Sequence, residues 1–238
     1  MNNKIRQNLP NSLTYLSLAS GLGSIILSSQ AYIFQAGLLI LVSFILDGLD
    51  GFSARKLNAE TKLGLQLDSL TDMVSFGVAP LLLIFNHLNA RGFPSFWIFP
   101  LLILAAWAGA FRLARFNLQP LKTSSLDDSL GLPITQAGVT LSLAVLSDLS
   151  YSNYSLPIGL YIVLLLGLSY LMASRICLPS IFWLFPSKIR FAIYLFFGLL
   201  TLLFISPFTS LLIFCLSGLA LSIGRSLYIR NSQGSPVL

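Results

Sequence analysis

Apolar and polar residues alternate along the chain in long blocks. Apolar runs recur at roughly 12–28, 32–54, 63–86, 96–116, 132–149, 155–174, 190–206 and 208–228. Several approach the ~20 residues a helix needs to cross a bilayer's hydrocarbon core. Backbone amides and carbonyls in lipid must be satisfied within their own segment, which leaves helices as the structure for these runs. The pattern predicts an all-α polytopic membrane protein with about eight transmembrane helices, the last two joined by a tight turn at Ser206-Pro207. Residues 117–131 (NLQPLKTSSLDDSLG) form a long polar connection, and residues 231–238 read as a frayed tail.

Composition sharpens this picture. Of 238 residues, 55% are hydrophobic and 9% charged, where a soluble domain carries about 25% charged residues. Mean hydropathy is +0.83. The net charge of +6 suits loops that face anionic headgroups, so no nucleic-acid partner is expected. Cys177 and Cys215 lie in or beside apolar runs and form neither a disulfide framework nor a metal-ligand spacing. Lys4 and Arg6 precede an apolar stretch without a small-residue cleavage site, so no cleaved signal peptide is expected. With eight spans, every lysine and arginine except Arg91 falls on one side. The positive-inside rule makes that side cytoplasmic, with both termini, and suggests a cell (inner) membrane.

The acidic residues break the pattern most sharply. Asp47, Asp50, Asp68 and Asp72 are four of the chain's eight acids, and they sit between AGLLILVSFIL and MVSFGVAPLLLIF. A carboxylate at such a place is expensive unless compensated. Asp47 and Asp50 are i,i+3 and share one helix face; Asp68 and Asp72 are i,i+4 and share another. A hairpin turning near 56–60 points both faces at one spot. Four mutually repelling carboxylates there call for cations. An all-oxygen ligand set without Cys or His points to Mg²⁺, Mn²⁺ or Ca²⁺ rather than zinc. Asp47 and Asp72 lie about 12–15 Å from the turn at 1.5 Å per residue, just below the cytoplasmic surface. Gly51 and Gly64 project no side chain and leave room for a small ligand.

Asp47, Asp50, Gly51, Ala54, Arg55, Gly64, Asp68 and Asp72 form the pattern D-x-x-D-G-x-x-A-R-x8-G-x3-D-x3-D. This resembles the signature of the CDP-alcohol phosphatidyltransferases. The resemblance implies a bundle of that family's kind. It also implies its reaction, in which an alcohol attacks the lipid-side phosphorus of a CDP-activated lipid and CMP leaves. Divalent ions, Mg²⁺ or Mn²⁺ and two in number, would neutralise the pyrophosphate. By resemblance Asp47, Asp50 and Asp68 are metal ligands and Asp72 is the general base, with contact to the second ion left open. Arg55 suits a phosphate, though an arginine at a helix end also serves as a plain anchor. Thr61 matches a nucleotide contact of relatives, or caps the turn. Asn11 and Thr14 belong to Pro10-Asn11-Ser12-Leu13-Thr14, which resembles the family's P-N-x-x-T element near the CDP group. Asn11 also reads as an N-cap. The site for CDP-diacylglycerol would thus be Asn11, Thr14, Gly51, Ala54, Arg55, Thr61 and Gly64.

The acceptor is written more faintly. Arg112 and Arg115 share a face at the end of the fourth run, beside Asn117. Two guanidinium groups there can hold a phosphate or carboxylate, or anchor the helix among headgroups. The run RLARFN with Gly131-Leu132-Pro133 resembles the phosphatidylserine synthase branch, which implies serine as acceptor. Glycerol 3-phosphate and inositol phosphate are the alternatives, and a divalent-cation transporter is a remote one. Four segments follow: an N-terminal arm at 1–11, a six-helix catalytic core at 12–174, two further spans at 175–230 and a tail at 231–238. A homodimer is implied by resemblance alone. His87, Asp127, Asp128 and Asp148 lie away from the motif and are expected to be solvated.

Overall fold

The computed structural model describes residues 3–57, 61–118, 129–151, 155–178 and 205–233. Among these the protein is all-α. Helix α1 spans Asn3–Ser29, α2 Ile33–Leu57, α3 Lys62–Asp72, α4 Ala79–Ala90 and α5 Phe99–Asn117. The chain continues with α6 at Ile134–Leu149, α7 at Ile158–Ala173 and α8 at Pro207–Gln233. Among the described residues, five segments are long and apolar enough to cross a membrane: Pro10–Ser29, Ile33–Leu57, Lys62–Ala90, Phe99–Asn117 and Pro207–Ser226. Helices α6 and α7 are apolar but shorter, at 16 residues each. Most of the seventh apolar run, and Asp127 and Asp128, lie outside the described residues.

Helix α6 is the axis of the core. From Ala137 to Asp148 every residue is buried, which no lipid-facing helix allows. It packs against α2, α4, α7 and α8, and exposed apolar side chains such as Phe44 of α2, Val163 of α7 and Leu211 of α8 form the outer surface. Helices α1 and α2 pair along their length through a polar stitch. Ser17 and Ser43 hydroxyls lie 2.7 Å apart, and each serine also donates to the other's carbonyl. In an apolar bundle such a hydrogen bond fixes the register of two helices that otherwise slide.

Two features depart from the sequence pattern. The N-terminal arm is helical: α1 begins at Asn3 and runs through Pro10, so Asn11 sits inside the helix and is no N-cap. Helix α3 also passes into a π-helical turn, Met73–Val78, directly after Asp72. A π turn is wider than an α turn and rotates everything beyond it. Ser75, Phe76 and Gly77 are thereby all buried. Helix α6 comes so close here that a Cβ on Gly138 would collide with the Phe76 backbone.

The end of the bundle opposite the acids corrects a further expectation. His87 and Asp148 are not solvated but 4% and 6% exposed. Asp148 Oδ2 lies 2.7 Å from His87 Nε2 and accepts from Arg91 at 2.7 Å and from the Tyr161 hydroxyl at 3.0 Å. Its other oxygen accepts from the Leu156 amide at 2.6 Å. One carboxylate therefore ties α4, α6, α7 and the segment leading into α7. Replacing Asp148 by Ala strands buried donors at once, and stability is expected to fall by about 3 kcal/mol. A lowered thermal midpoint in detergent, with specific activity of the folded fraction retained, is the expected result.

Candidate active site

The acids converge where α2 meets α3. Oxygen atoms of Asp47, Asp50 and Asp68 lie within 4.8 Å of one another. Helical spacing explains this: α2 offers Asp47 and Asp50 on one face, and α3 returns with Asp68 and Asp72 on the face turned toward α1 and α2. Asp50 and Asp72 are buried, while Asp47 and Asp68 are half-buried. Asp72 stands outside the three-ligand group. Its carboxylate lies close enough to Asp47 for the two charges to repel, and its Oδ1 is buried without a hydrogen-bond partner. A buried, unsatisfied carboxylate oxygen is costly unless a cation or proton meets it. The donor set is all oxygen, and no lysine or arginine forms a salt bridge with these four acids among the described residues. The residues present fit a divalent cation.

Side chains from α1 complete the wall. Thr14 is buried and donates to Asp50 Oδ2 at 2.7 Å and to the Pro10 carbonyl at 3.1 Å. The P-N-x-x-T element thus reaches the acids directly, orienting Asp50 as a hydrogen-bonded neighbour orients a metal ligand. Thr14→Val keeps the shape and removes the donor. An affinity for Mn²⁺ lowered about 10–100-fold, recovered in Thr14→Ser, is expected by titration with a paramagnetic readout.

Thr61 caps α3, its hydroxyl accepting from the Gly64 amide at 2.9 Å. Asn11 is nearby: a Cβ on Gly64 would stand 3.6 Å from Asn11 Oδ1 and 3.1 Å from Thr61 Oγ1. Asn11, Thr61 and Gly64 therefore gather at one rim. Arg55 is exposed and lies over Gly51, one nitrogen 3.6 Å from where a Cβ would be. It makes no ion pair among the described residues. Ala54 is half-buried on the same turn of α2.

The two arginines of α5 part company. Arg112 is buried, its charge acting on Asp72 and Asp68, with its guanidinium 5.1 Å from the Phe116 ring centre. Arg115 instead donates to the carbonyls of Leu130, Met172, Ala173 and Ser174. Asn117 accepts from the Ser69 hydroxyl at 2.9 Å and approaches Gln66 at 3.4 Å, which binds the end of α5 to the acid-bearing α3. Ser69 escaped the sequence reading. Its position next to Asp68 was the one signal available.

A bundle whose α2–α3 hairpin brings three carboxylates to ligand spacing with a fourth buried beside them defines a class of enzyme. The chain belongs to the CDP-alcohol phosphatidyltransferase family, which its residues 7–167 match. It is 34% identical over 212 residues to a CDP-diacylglycerol–serine O-phosphatidyltransferase of Helicobacter pylori, covering 86% of this chain and 85% of the relative. It is 35% identical over 175 residues to an archaetidylserine synthase of Methanothermobacter thermautotrophicus, covering 73% and 70%. The CDP-diacylglycerol–serine O-phosphatidyltransferase of Bacillus subtilis is 38% identical over 147 residues, covering 62% and 76%.

Proposed function

We propose that the protein transfers the phosphatidyl group of CDP-diacylglycerol to L-serine, forming phosphatidylserine and CMP. The observation that carries this reading is the carboxylate group on α2 and α3, held at ligand spacing within the complete family motif. The relatives' named activities supply the acceptor.

Asp47, Asp50 and Asp68 would hold Mg²⁺ or Mn²⁺, and Asp72 completes the set toward a second ion. When bound, the ions supply positive charge that neutralises the pyrophosphate and stabilises the leaving phosphate. Thr14 orients Asp50. Asn11, Thr61 and Gly64 form the rim on which the cytidine side rests. The bare surfaces of Gly51 and Ala54 let the phosphates approach α2, and Arg55 donates to a phosphate oxygen. Asp72 takes the proton from the serine hydroxyl as its oxygen forms a bond to the lipid-side phosphorus. The bond from that phosphorus to the CMP oxygen breaks, and CMP departs. Arg112 offers a buried cation for the serine carboxylate. Such a group discriminates strongly, because an acceptor without the anion leaves the guanidinium unpaired.

The reading includes a setting. The site opens to the cytoplasm beneath the inner-membrane surface, with both termini on that side, so serine arrives from water and the lipid from the leaflet. Residues 12–174 form the catalytic core, and residues 175–230 add two spans. The functional unit is a homodimer surrounded by membrane lipid. Purified protein in mixed micelles, given CDP-diacylglycerol and a panel of acceptors, tests the assignment. Release of CMP with serine alone is expected. Release with glycerol 3-phosphate or inositol phosphate but not serine would reassign the acceptor, and metal flux without CMP release would reassign the class.

A further inference from the structure

Arg115 makes an unusual set of bonds. Helix α7 ends at Ala173, and its last carbonyls have no partners within the helix. Arg115 Nη1 donates to the carbonyls of Ala173 at 3.3 Å and Ser174 at 2.9 Å; Nη2 donates to Met172 at 3.2 Å and to Leu130 at 2.8 Å. One guanidinium thus caps the carbonyl end of a helix 57 or more residues away in sequence, where a cation is also favoured by the helix dipole. The strand Ser129–Leu130 pairs antiparallel with Cys177–Leu178. The Gly131 amide donates to Ile176 at 3.0 Å and the Leu132 amide to Leu171 at 3.0 Å. Gly131 has φ +76°, and a Cβ there would stand 2.6 Å from Arg115 Nη2 and 2.8 Å from the Met172 carbonyl. The clasp closes only around a glycine.

What the clasp holds is the end of α5. Arg112, one turn earlier, is buried close enough to Asp68 and Asp72 for its charge to act on them, and Asn117, two residues later, bonds Ser69 beside Asp68. Both lie on a helix end that Arg115 fastens to the end of α7.

We infer that Arg115 is a positioning residue for acceptor recognition: by capping α7 it locks the end of α5 in the register that turns Arg112 to the acids and Asn117 to α3. It touches no substrate. The inference rests on the proposed role of Arg112 in binding the acceptor.

Steady-state kinetics of Arg115→Ala and Gly131→Ala test it, since the two break one clasp from opposite sides. The KM for serine is expected to rise about tenfold or more in both, with KM for CDP-diacylglycerol within twofold and Arg115→Lys partly restored. Asp148→Ala lowers stability at the other end of the bundle and is expected to leave both KM values unchanged. If Arg115→Ala is obtained only unfolded, Arg115→Gln, which keeps part of the apolar stem but is too short to reach all four carbonyls, replaces it. Unchanged serine KM in the folded variants, or equal rises for both substrates, overturns the inference. A second readout does not depend on the acceptor. Ser69→Cys with Asn117→Cys, in a background lacking Cys177 and Cys215, is cross-linked by a short thiol reagent, and the yield is expected to fall several-fold with Arg115→Ala. A wild type inactive with serine but showing that fall would defeat the acceptor reading and leave the clasp standing; an unaltered yield would defeat the clasp.

Discussion

Asp68→Asn is expected to abolish measurable transfer, lowering kcat by roughly 10³ or more, the scale of losing a principal electrostatic stabiliser. Asp68 is the one acid of α3 within the three-ligand group, so without it α2 alone remains to hold an ion. The substitution keeps the shape and removes one negative charge from a set of mutually repelling carboxylates. Without metal the variant should therefore melt at or above the wild type, as is common when a strained active site is relieved. Loss of activity together with a raised metal-free midpoint separates a ligand from a residue that merely supports the fold. Chelation of divalent ions from the wild type should reproduce the kinetic loss, and Mn²⁺ should reverse it.

Asp72→Asn is expected to lower kcat by about 10²–10⁴, the range of a positioned general base, with KM for CDP-diacylglycerol little changed. The structure separates Asp72 from the other acids in two ways. It lies outside the three oxygens that converge, and one of its own oxygens is buried without a partner. Mn²⁺ binding should therefore survive in Asp72→Asn far better than in Asp68→Asn. Equal loss of Mn²⁺ in both variants would make Asp72 a ligand first and a base second.

The acid site was legible because helical spacing is local. Asp47 with Asp50, and Asp68 with Asp72, fall on shared faces by arithmetic, and a short turn brings the faces together. Thr14 was legible as part of a motif but not as the partner of Asp50, 36 residues away, because the pairing depends on how α1 packs on α2. The π turn after Asp72 leaves no mark in the apolar pattern, since a run apolar on every side has no face whose rotation can be read. It is fixed by tertiary packing, with Gly138 admitting the Phe76 backbone.

Charge alone misled at two places. His87 and Asp148 each look like solvated loop residues when read singly; they are 61 positions apart and bury one another. Arg112 and Arg115 look like a matched pair, but one is buried where its charge acts on the acids while the other finds the open carbonyls of α7. Carbonyl ends of helices carry no sequence signal for a distant cation, so only the assembled bundle separates the two roles.

The most direct measurement records bound Mn²⁺ by electron paramagnetic resonance and phosphatidylserine formation on the same samples, as Mn²⁺ is returned to chelated protein with CDP-diacylglycerol and serine. Occupancy and product are expected to rise together in the wild type and to vanish together in Asp68→Asn. Product formed without bound ion, or full Mn²⁺ occupancy in Asp68→Asn, would contradict a metal site built from these carboxylates.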